Sequence, residues 1–229
     1  MRHFRTRKPP IRFFLSSVET KDKLMRKVIL QEFLTLDGLA AGPNDSVDFV
    51  AASTEGDESF GEEQVRLMDS IDTILLGRVT YQMFAGYWPN VVKGKEKAMA
   101  DKLNSIPKIV FSKTLDSAPW GDWEAAKVVS NPPVDEIKKL KRQTGKDMII
   151  WGSISLAQSA IRAGLIDEYR LVMCPVVLGN GRSLFLNKVD SFGMKLLEMK
   201  SFDLGAAQLK YKMAAKKKIA TKRGKAAGA

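Results

Sequence analysis

The sequence predicts an α/β protein with a mixed, mostly parallel sheet of about eight strands, closed by an antiparallel C-terminal hairpin. Three observations predict it. Short apolar runs of strand length alternate with segments of helical periodicity between residues 27 and 174. Strands separated by helices pair in parallel, because a parallel neighbour needs a long crossover. The last two strand-like runs, 195–202 and 207–213, are separated by a short turn, and Gly205 in that turn suits the positive φ of a three-residue hairpin loop.

The elements follow in order. Residues 27–34 (K-V-I-L-Q-E-F-L) form a mostly buried strand, followed by a loop with Asp37, Gly38, Gly42 and Pro43. Residues 59–70 suit a helix, with Val65, Met68 and Ile71 at i, i+3 and i+6. Thr73 to Leu76 is a short strand ending at Gly77. The helix of 78–86 carries Thr80, Met83, Phe84 and Tyr87 at helical spacing. A further helix over 94–104 stops before Pro107, since a residue preceding proline avoids the α region. Lys108 to Phe111 and Lys127 to Val129 are strands. Asn131 caps a helix with proline in its first turn, with Val134, Ile137 and Leu140 inward and Gly145 as the residue past its end.

Met148 to Trp151 is a buried strand and Gly152 a tight turn. A helix runs from Ser153 to Ala163, with Ile154, Ala157 and Ile161 inward and Gly164 at its end. Glu168 to Cys174 is a strand closed by Pro175. In the last strand Leu209, Tyr211 and Met213 are placed toward the core and Lys210 and Lys212 toward solvent.

Composition bounds the chemistry. The chain has 229 residues, 45% hydrophobic and 28% charged, and can bury about 70% of its unfolded surface without staples. It has one cysteine, Cys174, and one histidine, His3 in the N-terminal tail. A Ser-His-Asp triad, a Cys-His dyad within the fold and His/Cys metal cages are therefore excluded, and no metal is expected. No run reaches 18 apolar residues, so no membrane insertion is expected.

The net charge of +11 lies in the tails: residues 1–25 hold seven basic and two acidic residues, and 214–229 hold six basic and none acidic. The body, 26–213, holds 24 of each sign. A neutral body argues against a nucleic-acid-binding domain, leaving weak contact through the tails. Three regions result: a basic extension, 1–25; one folded domain, 26–213; and a basic tail, 214–229, too poor in apolar residues to order itself. That tail either solubilises the chain or touches nucleic acid or anionic lipid loosely. Pro9 and Pro10 break a transit-peptide helix and Arg12 interrupts the apolar patch of a secretory signal, so a cytoplasmic location is expected.

Ligands of open α/β sheets bind beyond the carboxyl ends of strands. Four such ends carry suitable residues: Thr35-Leu36-Asp37-Gly38, Gly77-Arg78-Val79-Thr80, Ser112-Lys113-Thr114 and Gly152-Ser153-Ile154-Ser155. The second and fourth open helices, whose free N–H groups and dipoles attract phosphate. Each has a plainer reading, a glycine turn beside a solvated arginine, or ordinary capping by Ser153 or by Ser155 with Gln158 three residues on. Together they could hold a pyrophosphate and a third phosphate, as in a dinucleotide with a 2′-phosphate. Gly179-Asn180-Gly181 lacks the third glycine of a Rossmann fingerprint.

The order and spacing of T-L-D-G (35–38), L-L-G-R-V-T-Y (75–81), I-V-F-S-K-T (109–114), W-G-S (151–153), G-L-I-D-E (164–168) and P-V-V-L-G-N-G-R-S-L-F (175–185) are informative. The body resembles the dihydrofolate-reductase-like superfamily. Within it, the chain resembles the reductase domain of bifunctional riboflavin-biosynthesis deaminase/reductases and their stand-alone bacterial relatives. The resemblance implies a three-layer fold and NADPH bound across the sheet's carboxyl edge. Gly77, Arg78 and Thr80 match the phosphate-binding helix start. Ser112 and Lys113, with Thr114, match the turn at the adenosine 2′-phosphate, and Gly152 and Ser153, with Ile154, the turn under the pyrophosphate. Thr35, Leu36, Asp37 and Gly38 match the loop beside the nicotinamide, and Gly179 joins the cofactor set.

The implied activity is NADPH-dependent hydride transfer to a nitrogen heterocycle or its ribosylamino derivative, most like 5-amino-6-(5-phosphoribosylamino)uracil reductase. Reduction of dihydrofolate or another pterin, or a non-catalytic NADPH-binding role, is the alternative. Asp37 is the proton donor best placed by motif, with a turn-capping aspartate as the other reading. Asp45, Asp48, Glu55, Asp57, Glu58, Glu62 and Glu63 follow it in 44–63, and only Arg66 and Arg182 offer a cation to a ribose phosphate. A homodimer built on the C-terminal part of the sheet is expected, from the resemblance and because strands 168–174, 195–202 and 207–213 come late and in sequence, which puts at least one at an edge; strand 168–174, the more apolar, has surface to offer a partner.

Overall fold

The computed structural model describes residues 25–185 and 191–214. The expectations for the basic tails lie outside the described residues. In chain order the strands are β1 (Val28–Thr35), β2 (Leu39–Ala41), β3 (Ile71–Gly77), β4 (Lys108–Phe111), β5 (Lys127–Val129), β6 (Asp147–Trp151), β7 (Glu168–Cys174), β8 (Arg182–Ser183), β9 (Met194–Ser201) and β10 (Ala207–Met213). The α-helices are α1 (Asp48–Thr54), α2 (Glu58–Asp69), α3 (Arg78–Tyr87), α4 (Lys97–Ser105), α5 (Pro133–Lys141) and α6 (Ile154–Arg162).

Eight strands form one sheet in the order β5-β4-β3-β6-β1-β7-β10-β9. The first six are parallel, and β10 pairs antiparallel with both β7 and β9. A parallel strand covered on both faces needs an unbroken apolar run. Met148, Ile149 and Ile150 of β6 supply one, each with no exposed surface. Burying such a side chain contributes about 1.5–3 kcal/mol.

Helices cover both faces. On one, α5 and α6 bring Ile137, Leu140, Ala157 and Ile161 against Val28, Leu30 and Ile150. On the other, α2, α3 and α4 bring Leu67, Met68, Tyr81 and Leu103 against Ile29, Leu76 and Ile149.

Several expectations change. The helix placed at 59–70 begins at Glu58, because Asp57 caps it by accepting the Phe60 amide at 2.9 Å. Asn131 does not cap α5; Pro132 holds that position. Gly145 is not the residue past its end either, since Arg142 closes the helix in a right-handed conformation. Gly145 instead has φ +156°, and a Cβ there would meet Asp72 Oδ2 at 2.6 Å. Short α1 and the small β2–β8 ribbon had no visible period in the sequence.

One of the last three strands does lie at an edge, but it is not the strand 168–174 expected to offer its surface to a partner. β7 is interior, hydrogen-bonded to β1 on one side and β10 on the other. The outer strand at this end of the sheet is β9, where Leu196, Leu197 and Met199 are exposed. Tyr211 and Met213 do pack on the core, but the most buried residue of β10 is Gln208. Lys210 does not simply face solvent; it turns toward Glu168 and Glu198 at 3.8 and 3.6 Å.

Candidate active-site cleft

β3 leads into α3 on one face of the sheet, and neighbouring β6 leads into α6 on the other. Two adjacent strands whose connections leave on opposite faces open a crevice at their carboxyl ends. A cleft of about 1100 Å³ occupies that place. Gly77, Arg78 and Thr80 line it from one side, and Gly152, Ser153 and Ile154 from the other.

These two turns are joined. The Gly77 amide donates to Ser153 Oγ at 2.8 Å. Ser153 has φ +61° and makes no capping bond to its own helix, contrary to the plainer reading of its sequence. A non-glycine residue in this left-handed conformation costs about 1–3 kcal/mol, a strain that tends to collect at functional sites. Gly152, also at positive φ, donates its amide to the Gln31 carbonyl at 3.0 Å. Neither α3 nor α6 has a side-chain cap, so each presents free N–H groups and a positive dipole end to the cleft.

The remaining expected residues lie elsewhere. Ser112, Lys113 and Thr114 follow β4, which pairs with β3 so that Phe111 stands opposite Gly77. Their turn is held by Ser112 Oγ, which accepts the Thr114 and Leu115 amides at 3.1 Å. They do not line the cleft, but Lys113 is exposed one strand away from Gly77.

Thr35, Leu36, Asp37, Gly38 and Gly179 are also outside the cleft lining. Asp37 Oδ1 accepts the Thr35 hydroxyl at 2.5 Å, and Oδ2 accepts the Gly179 amide at 2.7 Å. These bonds, the Thr35 hydroxyl foremost, hold the Asp37 carboxyl below the usual range. The side chain thus ties the loop after β1 to the loop after β7, as a carboxylate acceptor.

A different acid stands in the cleft wall. Glu32 of β1 is only 4% exposed and lines the cleft. Its Oε2 has no hydrogen-bond partner among the described residues. Burial pushes its carboxyl up to about 8, opposed by a backbone hydrogen bond at Phe33, so Glu32 keeps its proton at neutral pH. The signal in the sequence was a lone carboxylate inside an apolar strand run.

Aromatic rings complete the wall. Phe84 packs edge-on against both Trp88 and Trp151, with centroids 6.2 and 6.0 Å apart, and Tyr87 meets Trp88 at 5.0 Å. Trp88 is anchored from behind, because Asn104 Nδ2 donates to its carbonyl at 3.0 Å and Asn104 Oδ1 accepts the Trp120 indole N–H at 2.7 Å.

The sheet order, the two covered faces and the cleft at the strand ends define a dihydrofolate-reductase-like α/β protein. Residues 26–207 match the RibD C-terminal domain family, and the chain belongs to that family. It is 33% identical over 193 residues to the uncharacterized protein YyaP of Bacillus subtilis, covering 84% of this chain and 97% of that one. Among solved structures it is similar to a putative riboflavin biosynthesis protein from Shewanella sp. PV-4, with a TM-score of 0.64 and 23% identity, over 82% of this chain and 99% of the other. Dihydrofolate reductase from Enterococcus faecalis, solved with NADP(H), shares the fold at a TM-score of 0.50 and 13% identity, over 82% and 97% of the two chains.

Proposed function

We propose that this protein is an NADPH-dependent reductase that delivers hydride to a C=N or C=O carbon of a nitrogen heterocycle. The observation that carries this reading is the pair of uncapped helix N-termini, joined through Gly77 and Ser153, opening on an aromatic-walled cleft in a member of a reductase family. The fit to the cofactor is structural. Gly152 lets the chain turn at φ +56° over Thr80, which brings Ser153 Oγ onto the Gly77 amide.

The free amides of α3 and α6 would hold the pyrophosphate. Arg78 has no carboxylate partner among the described residues, and its contact is Gln82 Oε1 at 3.1 Å, a weak hold that a phosphate would displace. With Lys113 one strand away, it would meet the 2′-phosphate. When bound, the dihydronicotinamide supplies the hydride. Glu32 holds a proton at neutral pH for the anion that develops on the substrate, and the packed rings of Phe84, Trp88 and Trp151 exclude water around it.

Calorimetric titration with NADPH and NADH tests the reading. NADPH is expected to bind at least tenfold tighter. Arg78→Ala should weaken NADPH by about 1.5–3 kcal/mol, the cost of one charge-assisted hydrogen bond, and leave NADH nearly unchanged. Equal affinities in the parent protein would sink the assignment.

A further inference from the structure

The half of the cleft away from Gly77 and Ser153 is lined by residues from the ends of α1 and α2 on one side and of α3 and α4 on the other. Its charge is acidic. Glu55, Glu58, Glu62 and Glu96 line it, against Arg66 and Lys95. Both cations are already engaged: Lys95 Nζ lies 2.8 Å from Glu58, and Arg66 contacts Glu62 at 3.5 Å and Glu63 at 3.1 Å. At the opposite rim Arg182 binds Asp45 at 2.7 Å. Among the described residues lining the cleft, the cation without a carboxylate is Arg78, which stands at the helix start beside Gly77. A phosphate ester in the substrate half would therefore face carboxylates with no free counter-charge among the described residues that line it.

Two further features describe what the site does suit. Phe84, Tyr87 and Trp88 offer ring faces and edges to a planar ring system. Glu32 is 4% exposed and its Oε2 has no partner among the described residues, which calls for a ligand that carries ring nitrogens, amino groups or a ring carbonyl.

We infer that the compound reduced in this cleft carries no phosphate: it is an uncharged or cationic, planar, amino-bearing nitrogen heterocycle. The inference rests on the reductase reading and separates this chain from a reductase of a phosphoribosyl substrate. Carboxylates near the ligand favour protonated or amino-rich rings and repel a phosphate dianion, while Glu32 pairs with the ring edge.

The full chain saturated with NADPH is titrated with ribosylaminouracil, its 5′-phosphate ester and 2,4-diaminopteridine, following both heat and NADPH consumption. One or both unphosphorylated compounds should bind at least tenfold tighter than the ester. The double variant Glu55→Lys, Glu62→Lys, at exposed positions, should move the preference at least tenfold toward the ester. Equal or tighter binding of the ester by the parent protein overturns the inference, as does a preference unmoved in the double variant. So does binding of none of the three by a chain that binds NADPH. Failure to bind NADPH overturns the reductase reading as well.

Discussion

Ser153 Oγ accepts the Gly77 amide at 2.8 Å, so the residue that opens α6 secures the residue that opens α3. One hydroxyl therefore sets the spacing of two uncapped helix ends across the sheet's switch point. Ser153→Ala removes that partner and leaves the amide without it. NADPH affinity should fall about tenfold, with stability down by about 1 kcal/mol. Ser153→Gly also loses the hydroxyl but relieves the left-handed strain, so it should be the more stable of the two variants. Calorimetry and thermal melts of both variants check the ordering.

Glu32 sets a pH dependence. Its carboxyl titrates near 8 in the fold and near the ordinary 4.5 when unfolded. Between those values the native state binds the extra proton. Stability from this group is thus complete below about 4.5 and is lost as pH rises toward 8, by up to about 1.4 kcal/mol per pH unit. Glu32→Gln should flatten that decline in urea melts taken from pH 5 to 9. If Glu32 is also the proton source, kcat falls above pH 8 in the parent protein, and the variant is slow at every pH.

Asn104 supports the aromatic wall through two buried bonds, to the Trp88 carbonyl and the Trp120 indole. Asn104→Leu leaves both unpaired at about 1–3 kcal/mol each. Melting should drop by several degrees, and substrate-half ligands should weaken more than NADPH, which a paired titration resolves.

The outer strand β9 exposes Leu196, Leu197 and Met199 beside an edge that no other strand of the described residues pairs with. An apolar edge of this kind is normally covered. We propose a homodimer that buries it, and sedimentation equilibrium at micromolar protein should give twice the chain mass. Met199→Glu with Leu196→Glu should return it to a monomer; a monomeric parent protein refutes the dimer.

The sequence by itself determined the alternation of strands and helices, the parallel body and the terminal hairpin. Those follow from local periodicity and from the apolar runs of β1, β3 and β6, which only a doubly covered sheet can bury. It also placed Gly77, Arg78, Thr80, Gly152, Ser153 and Ile154 at strand ends, and the structure brings these together in one cleft. Tertiary structure alone decided that Ser153 caps its neighbour's turn and not its own helix, because the left-handed turn at Gly152 and Ser153 points the hydroxyl across to β3. It turned Asp37 into a tie between two loops that are 142 residues apart in sequence at its Gly179 contact. It put β7 inside the sheet and β9 at the edge, a matter of strand order that no local pattern encodes. It also gave Glu32 a raised affinity for its proton, since burial is a property of what packs around a side chain and not of the residues beside it in the chain.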